Sequence, residues 1–138
     1  MNYAALKAEI INDPTGLGYA QAWNSGFDSG VADILNAVRS TIDVSRGVVQ
    51  AYEVFECILP ADWAALTADN KQRVQSILSM GAVDASGSNT RAAFLAAFAA
   101  GTTTRANLIA LATRKGSRAE QLFGQAVTSD DIAIARRI

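Results

Sequence analysis

Residues that start and stop α-helices recur along this chain at short intervals. Gly101 is followed by a threonine run at 102–104, and Gly116 is followed by Ser117. Hydroxyl side chains cap helix N-termini, and glycine commonly ends the preceding helix. Ser117 and Glu120 also have the S-x-x-E spacing of a capping box. The pattern therefore predicts many short helices, with Gly101 and Gly116 each ending one.

Apolar residues recur at helical spacing between these signals. The clearest case is S-G-V-A-D-I-L-N-A-V-R-S, where Val31, Ile34, Leu35 and Val38 stand at i, i+3, i+4 and i+7. Half of the residues are hydrophobic, and many are alanine, which favours helix and lets helices approach closely. We expect an all-α fold: one compact bundle-like domain over residues 1–138 with about seven or eight short helices. At most a minor extended segment is expected near 48–50, and no sheet.

The predicted core collects the apolar residues that share a helical face. Its members are Val31, Ile34, Leu35, Val38, Phe55, Val74, Ile77, Leu78, Phe94, Leu95, Phe98, Leu108 and Leu111. Cys57, the single cysteine, lies among apolar residues in E-V-F-E-C-I-L and is expected to be a buried, inert thiol.

The residue types of the chain argue against catalysis. There is no histidine, so a serine-type triad is excluded and most metal sites are improbable. The carboxylates are scattered: Glu53 and Glu56 lie three residues apart, but no nucleophile or base accompanies them. We expect a protein that is not an enzyme and that uses no cofactor and no metal.

The stretch G-T-T-T-R-A-N-L-I-A-L-A-T-R-K-G-S-R-A-E-Q allows two interpretations. A helix start at Thr102–Thr104 can hold a phosphate, and Arg114, Lys115 and Arg118 form a small basic group. However, the P-loop pattern is absent, and the pI of about 5.3 argues against bulk binding to DNA. Capping explains the threonines without a ligand, so nucleic-acid contact is the weaker interpretation.

Charge is distributed unevenly along the chain. Residues 1–90 carry five basic and ten acidic side chains, a net charge of −5, whereas residues 91–138 carry seven and three, a net charge of +4. The two parts can face each other within the fold. Alternatively, molecules can associate head to tail or dock the basic part on an acidic partner.

Nine residues are the candidates for a protein interface. Aromatic and basic side chains are typical of such surfaces, although the aromatic ones also fit a place at the edge of the core. The candidates are Trp23, Phe27, Trp63, Arg105, Arg114, Lys115, Arg118, Arg136 and Arg137.

No apolar run reaches the length that spans a membrane; the longest, Ala92–Ala100, is short and rich in alanine. Lys7 and Glu9 interrupt the apolar residues at the N-terminus, which is unlike a signal peptide. We expect the protein to stay in the cytoplasm of its host cell, or in an assembly made there.

Three stretches in the same order resemble a family of small virion-associated proteins of tailed bacteriophages and prophages. They are L-K-A-E-I-I-N-D-P-T-G-L-G-Y-A, L-P-A-D-W-A-A-L-T-A-D-N-K-Q-R-V-Q-S-I-L and G-T-T-T-R-A-N-L-I-A-L-A-T-R-K-G-S-R-A-E-Q-L-F-G, followed by V-T-S-D-D-I-A-I-A-R-R-I. The segment A-Q-A-W-N-S-G-F-D-S-G after Tyr19 departs from the family's usual S-G-M-T-D.

The resemblance implies a phage setting and supplies no catalytic residues. From the resemblance we expect a multi-copy structural or assembly protein of the virion that binds other virion proteins. It would belong to the tail, to the neck, or to the capsid surface as a decoration protein. The alternative is a small nucleic-acid-binding or regulatory protein used during infection.

Overall fold

The computed structural model describes all 138 residues, in ten helices and four strands. The helices are α1 (Tyr3–Asn12), α2 (Ala20–Asn24), α3 (Asp28–Asn36), α4 (Ala51–Cys57), α5 (Pro60–Ala64), α6 (Ala68–Leu78), α7 (Ser88–Ala97), α8 (Thr103–Leu111), α9 (Arg118–Phe123) and α10 (Ser129–Arg137). The strands are β1 (Val38–Ser45), β2 (Val48–Gln50), β3 (Ala82–Asp84) and β4 (Thr113–Ser117).

The prediction of an all-α fold is wrong, because the four strands form two small antiparallel sheets. One sheet pairs β1 with β4. The sequence of β1, V-R-S-T-I-D-V-S, is rich in β-branched residues, which favour strands over helices. Its partner lies far along the chain, so local spacing contains no sign of the pairing.

The second sheet pairs β2 with β3, with Val49 opposite Val83 and both side chains buried. The sequence predicts an extended segment at 48–50, but without a partner strand. Ala82–Asp84 supplies that partner directly after the turn at Gly81, whose φ is +78°. Two buried valines facing each other across the strands explain why a three-residue pairing is retained.

The chain folds into two compact units. The first unit comprises residues 1–44 and 115–138, and the second comprises residues 45–114. The single domain over 1–138 expected from the sequence stays a prediction.

The first unit is built mainly of α1, α3 and α10, with α2 and α9 packed against α3. Leu6, Val31, Leu35 and Ile132 are fully buried at its centre. Asn36 ties the end of α3 to the segment before α10, because its side-chain amide both donates to and accepts from the Val127 backbone, at 2.7 and 2.9 Å.

A closed loop joins α1 to α2 in this unit. Asp13 adopts a left-handed conformation after α1, and its two carboxylate oxygens accept from the backbone N–H groups of Leu17 and Gly18, both at 2.7 Å. The loop delivers Tyr19 into the core, where its side chain is fully buried. The Asp13…Gly18-Tyr19 element thus has a structural role here.

The second unit has its own core of Val49, Val54, Ile77, Val83 and Ala93. Most of the residues predicted to share one core are therefore divided between two clusters, and Val74 and Phe98 are also buried. Three of them lie mainly on the surface, which corrects their assignment: Val38, Phe55 and Leu95.

The helix caps predicted in the 102–104 threonine run and at Ser117 are confirmed, and Thr67 and Thr128 are caps as well. Thr67, Thr102, Ser117 and Thr128 each accept a hydrogen bond from a backbone N–H in the first turn of the following helix. Ser117 and Glu120 form the predicted capping box. The two predicted helix ends are corrected: α7 already stops at Ala97, before Gly101, and α8 stops at Leu111, so that Gly116 lies in β4.

Candidate functional site

Three of the basic interface candidates form ion pairs inside the first unit. Arg118 contacts Glu9 at 2.8 Å, and both side chains are largely buried. Lys115 contacts Asp43 at 2.8 Å on the surface. Each pair joins a basic residue from the last part of the chain to an acidic residue from the first part, so part of the uneven charge is neutralised within the fold.

The third ion pair also engages an aromatic candidate. Arg136 contacts Asp28 at 2.6 Å, and its guanidinium lies 4.0 Å from the centroid of the Trp23 ring. Arg136 also donates to the Trp23 carbonyl oxygen at 2.6 Å. A cation stacked on an indole is favourable in itself. Trp23 and Arg136 therefore hold α2 and α3 to α10.

The remaining aromatic candidates differ in exposure. Phe27 is exposed, and one edge of its ring covers Gly30, where an added Cβ would come within 2.2 Å of the ring. Trp63 is half-buried on α5. Only Phe27 of the three predicted aromatic residues therefore presents most of its side chain to a partner.

The remaining basic candidates differ in the same way. Arg105 is half-buried and lies 3.5 Å from the Phe98 carbonyl oxygen. Arg114 and Arg137 are exposed. The nine candidates are spread over both units: Trp63, Arg105 and Arg114 belong to the second unit and the other six to the first.

Net charge is nearly balanced within each unit. The first unit contains six basic and eight acidic side chains, and the second contains six and five. The net charges of −5 for residues 1–90 and +4 for residues 91–138 therefore do not correspond to one acidic and one basic unit of the structure. This arrangement favours the interpretation that the charges face each other within the fold.

The start of α8 is the site that the sequence offered for a phosphate. In the structure, a carboxylate from α5 already lies there. Asp62 accepts from the backbone N–H of Thr104 at 3.2 Å, and the Thr102 hydroxyl accepts from that of Arg105 at 3.3 Å. The Thr104 hydroxyl is buried and accepts from the backbone N–H of Leu59 at 2.9 Å. A phosphate would therefore meet Asp62, which has the same sign of charge.

An exposed aromatic pair on α4 is the strongest candidate site, and it is absent from the candidates that the sequence indicated. Tyr52 and Phe55 are 69% and 66% exposed and stand three residues apart, so they share one face of the helix. Val54 lies on the opposite side and is buried in the second core. We call Tyr52 and Phe55 the aromatic pair.

The N-terminus of α4 is firmly fixed. Gln50 and Glu53 form a capping box, and the other oxygen of Glu53 accepts from Arg46 at 2.7 Å. The backbone N–H of Gln50, followed by the Arg46 guanidinium, lowers the pKa of Glu53. The carboxylate therefore stays charged under ordinary conditions and holds this helix end in place.

The C-terminus of α4 is attached to α8. The Asn107 amide donates to the Cys57 carbonyl oxygen at 3.2 Å, and the Cys57 thiol, which is half-buried rather than fully buried, lies 3.7 Å from the Asn107 carbonyl oxygen. With both ends attached and Val54 packed in the core, α4 presents the aromatic pair on a rigid support. Such preorganisation lowers the entropic cost of binding.

A weak signal for this face is present in the sequence. In A-Y-E-V-F-E-C the apolar residues Val54 and Phe55 are adjacent, so only one can lie at the centre of the buried face of a helix. Tyr52, Phe55 and Glu56 stand at i, i+3 and i+4 and therefore share one side of the helix. The charged Glu56 is the sequence feature that indicates that this side faces solvent.

Comparison with known protein families, with curated proteins and with solved structures finds no match for this chain. None of the ten helices combines the length and the hydropathy needed to cross a bilayer. No three histidine, cysteine or acidic side chains are grouped so that they could hold a metal ion.

Proposed function

We propose that this protein is a non-enzymatic assembly subunit that acts through protein–protein contacts. The aromatic pair carries the proposal. Two large aromatic side chains exposed side by side on a fixed helix are unfavourable in water, and aromatic residues are enriched in the cores of protein interfaces and among their energetic hot spots. Tyr52 and Phe55 serve as the anchors of a partner contact.

The biological setting of the proposal is the particle of a tailed bacteriophage. It rests on the resemblance of the D-P-T-G-L-G-Y, T-R-A-N and S-R-A-E elements to virion-associated phage proteins. Within the particle, the protein is a component of the tail, the neck or the capsid surface and binds other virion proteins.

A nucleic-acid-binding role has less support. Its basis is the basic group around T-R-K-G-S-R, but Arg118 is paired with Glu9, Lys115 is paired with Asp43, and Asp62 occupies the start of α8. DNA affinity that falls steeply with salt concentration would favour this role instead.

Mass spectrometry of purified phage particles tests the proposal directly. Wild-type protein is expected in many copies per particle. A Tyr52→Ser/Phe55→Ser variant is expected to fold normally but to enter particles at about one tenth of that level or less, the loss that hot-spot anchors cause. Ile11→Ser is the matched control, because Ile11 is similarly exposed on a helix of the first unit.

Two outcomes would contradict the proposal. If purified particles contain no wild-type protein, the protein is not a component of the virion. Equal incorporation of the double variant and the wild type would show that the aromatic pair is not the contact.

A further inference from the structure

A groove between α6 and α7 has the composition of a helix-binding site. It has a volume of about 600 Å³. Ile77 and Ala93, both mostly buried, are among its apolar lining residues, and Met80 is 69% exposed beside them. An exposed methionine beside an apolar groove adapts to different partners and is common at binding surfaces.

Arg73 is the single charged residue that lines this groove. It is exposed and makes no hydrogen bond or ion pair, unlike Arg46, Arg118 and Arg136, which each contact a carboxylate. Arg73 and Ile77 are one turn apart on α6, and Met80 follows in the same direction. The groove therefore accepts apolar side chains with a carboxylate at one end.

The outer face of α10 carries the complementary pattern. Asp130, Ile134 and Ile138 stand at i, i+4 and i+8 and are all exposed, whereas Ile132 and Ala135 face the core of the first unit. Asp130 makes no hydrogen bond or ion pair through its side chain. One end of this face thus presents a carboxylate, and the rest presents two isoleucines.

We propose that α10 of one molecule docks in the α6–α7 groove of a second copy. Asp130 then faces Arg73, and Ile134 and Ile138 cover Ile77 and Met80. Arg73 and Met80 are seven residues apart, and Asp130 and Ile138 are eight apart, with Met80 and Ile138 just beyond the ends of α6 and α10. At the rise of a helix these separations correspond to roughly 10 and 12 Å, so the spans agree. Burying an apolar helix face in a groove is a common mode of recognition.

Arg137 also lies on the exposed side of α10, seven residues after Asp130. In this register it falls at the Met80 end of the groove, about 10 Å along the helix from the Asp130–Arg73 contact. The docked helix therefore places its acidic end at the basic end of the groove and keeps Arg137 away from Arg73.

The two surfaces are different, so the contact is heterologous and each molecule uses both. Repetition closes a ring or continues as a filament, depending on the rotation between neighbours. The inference rests on the proposed assembly function and specifies a self-contact for it, with residues separate from the aromatic pair.

Exchange of the two charges tests the pairing in the purified full-length protein. Sedimentation velocity over a range of concentrations should show association of the wild type. Arg73→Asp alone and Asp130→Arg alone should each weaken association by about tenfold or more, because like charges then meet. An equimolar mixture of the two variants should associate again, since the Arg73→Asp groove then meets an Asp130→Arg helix of opposite charge.

Lys71→Asp and Asp33→Arg are the matched controls, because they make the same charge changes outside the groove and outside α10 and should associate as the wild type does. Thermal unfolding checks that each variant is folded. A monomeric wild type, or a mixture that associates no better than the single variants, would overturn the self-contact. Incorporation into phage particles is measured separately, so either proposal can fail without the other.

Discussion

Arg118 and Glu9 form a two-point ion pair in the interior of the first unit, although they are 109 residues apart in sequence. Nε and Nη2 of the arginine each lie 2.8 Å from a different oxygen of the carboxylate. The pair joins the first residue of α9 to α1, and the buried Tyr19 hydroxyl donates to the same carboxylate at 3.4 Å. A basic residue predicted for an external partner thus has an internal structural role.

Removal of Arg118 should strongly destabilise the protein. Arg118→Met leaves the buried Glu9 carboxylate without its cation and with only the Tyr19 hydroxyl as a donor, and the expected loss in the free energy of unfolding is about 3 kcal/mol or more. Urea denaturation measures it. Lys115→Met breaks an exposed pair and should cost less than about 1 kcal/mol. Equal losses in the free energy of unfolding for Arg118→Met and Lys115→Met would mean that the buried Arg118–Glu9 pair stabilises the protein no more than an exposed pair does.

Stability should fall at alkaline pH because of Tyr19. Burial, followed by the nearby Glu9 carboxylate, raises the pKa of this phenol in the folded state. The unfolded chain ionises Tyr19 above its ordinary pKa of about 10, while the folded protein keeps it neutral. The stabilisation is therefore complete below a pH of about 10 and is lost as the pH rises further, by at most about 1.4 kcal/mol per pH unit.

The measurement is urea denaturation between about pH 8 and pH 11, a range set by the ordinary phenol pKa of about 10. Tyr19→Phe lacks the ionisable group and should show a shallower decline over the same range. Parallel curves for the variant and the wild type would assign the alkaline loss to other groups.

Two phenylalanines should respond differently to truncation. Phe98 is 1% exposed, so Phe98→Ala should cost about 3–5 kcal/mol. Phe55 lies mostly in solvent, and Phe55→Ala should change stability by about 0.5 kcal/mol or less. Thermal or urea unfolding of both variants decides this, and a large loss for Phe55 would place its ring in the core.

The start of α8 should depend on the Thr104 hydroxyl. Thr104→Val keeps the shape of the side chain but leaves the Leu59 N–H without its acceptor, at an expected cost of about 1–3 kcal/mol. Thr103→Val is the control, because Thr103 is exposed. Both variants are compared by urea denaturation, and similar results for the two would show that the hydrogen bond adds little.

Cys57 should react slowly with thiol reagents in the native protein. Burial, followed by the Glu53 and Glu56 carboxylates, raises the pKa of the thiol, and only the thiolate is the nucleophile. Alkylation at a pH of about 8 is expected to be about tenfold slower than in denaturant. Equal rates under the two conditions would mean an accessible thiol of ordinary acidity.

The sequence by itself determined the features that depend on neighbours within one turn. Thr67, Thr102, Ser117 and Thr128 are identifiable as caps because a hydroxyl and a nearby backbone N–H need no distant partner. Helical spacing likewise located most of the helices. These are local interactions, and their geometry follows from the order of residues alone.

The tertiary structure decided what depends on residues far apart in the chain. β1 forms a strand because β4 pairs with it, and Phe55 faces solvent because Val54 occupies the second core. Arg118 and Arg136 are plausible surface cations until Glu9 and Asp28 are brought beside them. Strand pairing and ion pairing join atoms in space, and only the folded chain selects the partner.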